Sequence, residues 1–141
     1  LLAQYPDARI VVTHRDPVPV IGSLCSLVRS LSGTFTDADH TEYIAAHWVE
    51  VAETIVARTT ATRDRHPDAA FLDVDYQQLL DAPLEVVRRI YEFDGMDLTP
   101  AVEGRMRDYL ADNAQGKFGR HTYDLSEFGL RPEEIRERFA D

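Results

Sequence analysis

One short β-branched run, a second short strand pattern and a series of helix-spaced apolar patterns organise the chain. Arg9-Ile10-Val11-Val12-Thr13 follows a Pro6-Asp7 turn signal and predicts a buried strand. His14-Arg15-Asp16-Pro17 ends it. Pro17 disfavours helix at Asp16 but is suited to open one. Val20, Ile21, Leu24, Leu27, Val28 and Leu31 then recur at three- and four-residue steps, predicting a helix from Val18 to about Leu31. Ser32-Gly33-Thr34 breaks it. Asp37-Ala38-Asp39 offers a cap for a long second helix to about Arg65, with Tyr43, Ile44, His47, Trp48, Val51, Ile55 and Val56 on its apolar stripe. His66-Pro67-Asp68 ends that helix, and Phe71-Leu72-Asp73-Val74-Asp75 predicts a second strand, followed by Tyr76. Pro83 starts a helix with Val86, Val87, Ile90 and Tyr91 on one side. Thr99-Pro100 reads as a cap with Pro in the first turn, opening a helix to about Ala111. Residues 113–123 form a polar, Gly-containing loop, and Pro132 begins a charged terminal helix to Phe139.

Strand, helices, strand, helix implies parallel strands joined by a crossover, hence an α/β fold with a partial parallel sheet flanked by helices. The 141 residues suffice for a single domain with a core. Two strands are few for such a sheet, so further strands are expected before Leu1. The start, Leu1-Leu2-Ala3-Gln4-Tyr5, has no initiator Met, no basic region and no cleavage site, and reads as the beginning of a trimmed chain rather than as a signal peptide. No window approaches the ~18 apolar residues of a membrane span. Cys25 is the single cysteine, which excludes an internal disulfide and favours a reducing, cytoplasmic setting.

Charge narrows the function. A net charge of −10 argues against general nucleic-acid binding and against adhesion to an anionic membrane. The balance is uneven: residues 1–35 are net +1, and residues 113–123 contain Lys117 and Arg120 with no acid. Two basic spots in an acidic chain suit a small anion.

In an open α/β sheet, ligands sit beyond the carboxyl ends of the strands. Arg15 falls at such an end, with a planar, permanently charged fork suited to phosphate. Ser23 lies eight residues on; in an early turn of the next helix, its hydroxyl and nearby N–H groups would meet an anion. On spacing alone, the plainer reading has Arg15 paired with Asp16 or capping a carbonyl and Ser23 on the helix surface. His14-Arg15-Asp16 does not mark a kinase catalytic loop, because Ile21 stands where that loop needs Asn.

The string from Tyr5 to Pro17, followed by Ser23, resembles the 3′-phosphate-binding segment of the PAPS-dependent sulfotransferases, especially their bacterial branch. The resemblance implies that Arg15 and Ser23 bind the 3′-phosphate of the nucleotide cofactor, PAPS (3′-phosphoadenosine 5′-phosphosulfate) or its product PAP. Phe71 to Pro83 resembles the family's strand ending in Tyr, followed by Leu-x-x-x-Pro; the resemblance places Tyr76 near the adenine. Gly116 to Leu125 and Phe128-Gly129-Leu130 resemble the late Gly-x-x-Gly loop and the tail of bacterial members. Ala114 and Gln115 replace an Arg-Lys pair of better-known members, so Lys117 and Arg120 are expected to supply the charge instead.

The resemblance implies a P-loop-NTPase-like fold and transfer of a sulfuryl group from PAPS to a hydroxyl or amine of a small-molecule, glycan or lipid acceptor. It leaves room for a homo-oligomer. The family's 5′-phosphosulfate loop and catalytic His belong upstream of Leu1, so residues 1–141 are expected to form the C-terminal half of the domain and to be inactive alone. His14 belongs to the phosphate-binding string and not to the acceptor site, His47 reads as a helix residue, and no histidine pairing has metal spacing. No Gly-x-x-x-x-Gly-Lys loop is present. A non-catalytic binding domain on the same scaffold, or a kinase-like relative, differs from the transferase in that upstream loop.

Overall fold

The computed structural model describes residues 1–114 and 122–140. The chain divides into two compact units, Leu1–Arg15 with His66–Arg120 and Asp16–Arg65 with His121–Asp141.

The first unit is built on two parallel strands, β1 (Arg9–His14) and β2 (Ala70–Asp75), paired in register from Arg9 opposite Ala70 to His14 opposite Asp75. The chain between them holds α1 (Pro17–Ser32) and α2 (Thr41–Arg65), the expected crossover. Three helices follow β2: α3 (Tyr76–Asp81), α4 (Pro83–Asp94) and α5 (Pro100–Asp112). Helix α4 packs on both strands, where Val86 and Val74 are buried. It ends at Gly95, whose φ of 74° is the left-handed conformation that glycine adopts freely; Met96 N–H then bonds the Tyr91 carbonyl at 2.9 Å. Arg9 donates to the Phe93 carbonyl and so ties the start of β1 to the end of α4. Thr99 caps α5 as its sequence predicts.

Helix α3 departs from the expected pattern. Asp75 accepts from Gln78 N–H at 2.9 Å and nucleates a six-residue helix, so Tyr76 opens a helix instead of closing a strand.

The second unit packs α1, α2, a 3-10 turn over Leu125–Phe128 and α6 (Pro132–Arg138) around Ile21, Cys25, Ile44, Ala45, Val49, Phe128 and Ile135. The buried faces are narrower than the apolar stripes suggest. On α1, Val20, Leu27 and Leu31 are exposed; on α2, Tyr43, Ile55 and Val56 are exposed, and the buried line runs through Ile44, Ala45 and Val49. Helix α2 is 25 residues long, and among the described residues only its first half is buried, through Ile44, Ala45 and Val49. Burial pushes the Cys25 thiol up, away from the reactive thiolate.

Ion pairs hold α6. Arg138 reaches both carboxylate oxygens of Glu53 on α2, at 2.5 and 2.7 Å, and Arg136 reaches Asp16 at 3.4 Å. The Arg138 hydrogen bond holds the Glu53 carboxyl below its ordinary range. A depressed carboxylate contributes stability above its unfolded pKa and loses it as pH falls through the folded one. Glu53→Gln is therefore expected to cost under ~1 kcal/mol at pH 7, as befits a solvent-accessible pair. The difference should shrink as pH falls below the ordinary range of a glutamate carboxyl. Urea unfolding of both proteins at pH 7 and pH 3 checks this; a gap that is the same at both would remove the pair as its cause.

Candidate functional site

Parallel register brings the two strand ends side by side. His14 lies opposite Asp75, so the next residue of each chain segment, Arg15 and Tyr76, leaves the sheet at the same level. The Arg15 guanidinium carbon lies 4.5 Å from the centre of the Tyr76 ring, a cation–π arrangement. The contact is made to the face of the ring, so the Tyr76 hydroxyl takes no part in it. Among the described residues Arg15 makes no hydrogen bond or ion pair, and it is exposed.

The neighbouring acid is committed elsewhere. Asp16 caps α1 by accepting from Val18 N–H at 2.9 Å, and its other oxygen meets Arg136. The Arg15–Asp16 pairing left open by the spacing is therefore not the one the chain forms.

One residue earlier, His14 Nε2 sits 2.6 Å from Asp73 Oδ1, both partly exposed. By sequence Asp73 is an ordinary strand residue. The available signal was the pair of carboxylates two apart, Asp73 and Asp75, which share one side of a strand. Arg89 of α4 adds contacts to the Asp73 carbonyl at 3.4 Å and to Gln78 Oε1 at 3.2 Å. The strand end is thus braced from both strands and from α4.

Ser23 is exposed on α1. Because the helix begins at Pro17, Ser23 is its seventh residue and not in the first turn. It offers a hydroxyl, while the unpaired N–H groups of the helix start lie earlier. Gly22 beside it is buried, with the Tyr123 ring lying where a side chain would begin. Lys117, Arg120 and the Gly116–Gly119 loop fall outside the described residues. His47 is exposed on α2 and stacks on Tyr43 at 5.4 Å, a helix-surface arrangement.

A cationic fork at the carboxyl end of a parallel pair, beside an aromatic face, is chemically suited to an anion. The family model described as the sulfotransferase family matches residues 1–100, and the chain belongs to that family. It is similar to the crystal structure of sulfotransferase STF9 from Mycobacterium avium, at 36% identity and a TM-score of 0.86. That match covers 99% of this chain and 36% of the other, so the chain spans about a third of that protein's length. No curated protein matches it. Among the described residues no helix is long and apolar enough to cross a membrane.

Proposed function

We propose that the protein is a PAPS-dependent sulfotransferase and that residues 1–141 form the C-terminal part of its transferase domain, holding the 3′-phosphate side of the nucleotide. The observation that carries this reading is Arg15, held on the Tyr76 ring at the strand ends with its donors unclaimed among the described residues. The residues suit the cofactor: a guanidinium for the phosphate, held on an aromatic ring, with the Ser23 hydroxyl a further donor by the family resemblance. Lys117 and Arg120 are assigned to the same phosphate on sequence grounds.

When bound, PAPS supplies an activated sulfuryl group for in-line transfer to a hydroxyl or amine. The side chains assigned here work at the far end of the cofactor. They bind and align it, so that their contribution is positioning and charge neutralisation. These side chains do not themselves carry out the transfer. A lone, buried Cys25 fits a cytoplasmic protein.

Titration calorimetry of the full-length protein tests this reading. It is expected to bind adenosine 3′,5′-bisphosphate more tightly than adenosine 5′-phosphate. Equal affinity for the two would overturn the assignment of the 3′-phosphate to this chain.

A further inference from the structure

An arginine at the end of a strand has a long side chain with large rotamer freedom, and ordering it on a ligand weakens binding. Here the ordering is built in. Tyr76 is half-buried, and its backbone is fixed as the first residue of α3 by the Asp75 cap. Arg89 braces the same segment through Gln78 and the Asp73 carbonyl. The His14–Asp73 contact ties the residue before Arg15 to β2. The Arg15 guanidinium rests on the ring so fixed, at 4.5 Å.

From this geometry we infer that Tyr76 is a positioning residue for Arg15: its ring holds the guanidinium ready, and it acts on the 3′-phosphate through that arginine. The inference rests on the proposed 3′-phosphate role of Arg15 and adds a second residue to it. It also separates two roles for Tyr76. A residue that serves the base affects every adenine nucleotide, whereas a residue that orders Arg15 affects only ligands carrying the phosphate that Arg15 binds. The hydroxyl of Tyr76 plays no part in a face contact, so the ring suffices.

Calorimetry on the full-length protein distinguishes these roles, with adenosine 3′,5′-bisphosphate and adenosine 5′-phosphate as probes. Tyr76→Leu is expected to weaken the bisphosphate by about two- to fivefold, the scale of an exposed cation–π contact. It should leave the monophosphate unchanged, and Tyr76→Phe should behave as the parent. In an Arg15→Ala background, Tyr76→Leu should add no further loss. An equal loss on both probes, or a loss that persists without Arg15, would overturn the inference. Should the leucine variant not fold, Tyr76→Trp decides: an indole keeps the platform and should hold the bisphosphate-to-monophosphate ratio at or above the parent's, and a fall in that ratio counts against the proposal. If Arg15→Ala leaves both probes unchanged, the phosphate site itself is misassigned, an outcome separate from failure of the Tyr76 coupling.

Discussion

Arg15→Ala is expected to weaken adenosine 3′,5′-bisphosphate at least tenfold, and adenosine 5′-phosphate hardly at all. A hydrogen bond between charged groups contributes roughly 1.5–3 kcal/mol. That range corresponds to about ten- to a hundredfold in affinity. Arg15 meets the conditions for the upper part of it. Its donors are unclaimed among the described residues, its neighbour Asp16 is occupied with the α1 cap, and its guanidinium already rests over the Tyr76 ring. Arg15→Lys should fall between parent and alanine, because an ammonium keeps the charge but loses the flat fork. Added salt should narrow the gap between parent and alanine, since the partners are exposed. Calorimetry at two salt concentrations reads both effects. Unchanged bisphosphate affinity in Arg15→Ala would remove Arg15 from the site.

The largest stability effect is expected from Ile21→Ala. Ile21 is 1% exposed and packs with Cys25, Ile44, Ala45, Val49, Phe128 and Ile135. Truncation leaves a cavity among side chains drawn from two helices, the 3-10 turn and α6, which have little freedom to close on it. The cost should be about 2–4 kcal/mol. For a chain of this size that is a fall in Tm of roughly 6–12 °C. The adjacent Val20 is 39% exposed, and Val20→Ala should stay within ~0.5 kcal/mol. Thermal unfolding of the two variants is the check. Similar losses from both would mean that α1 does not bury the face described here.

That contrast also marks where the sequence was legible. The two strands, the Pro17 and Pro100 helix starts and the parallel crossover follow from short apolar runs, proline geometry and chain order. Helix faces were legible only to within a stripe. Val20 and Ile21 are equally apolar, and which one is buried depends on what α2 and α6 bring to that side. Helix α3 escaped notice because six residues are too few to show a period, and its cap, Asp75, also fits the end of a strand. Arg15 stood out by its place at a strand end, and Tyr76 came only from the family resemblance. Their contact was not legible, since no local pattern encodes which residues of two parallel strands face each other. The His14–Asp73 pair was hidden for the same reason.

The pairing of β1 with β2 has a consequence for how such a site tolerates changes in length. Arg15 and Tyr76 each lie six positions beyond the first paired residue of their own strand, Arg9 and Ala70. The strands therefore act as two matched rulers, and the two side chains meet because both are cut to the same mark. The long excursion between them is not measured by either ruler. Residues gained or lost in the α1–α2 connection leave the meeting point where it is. A single residue gained or lost within either strand moves one side chain past the other and turns it to the opposite face.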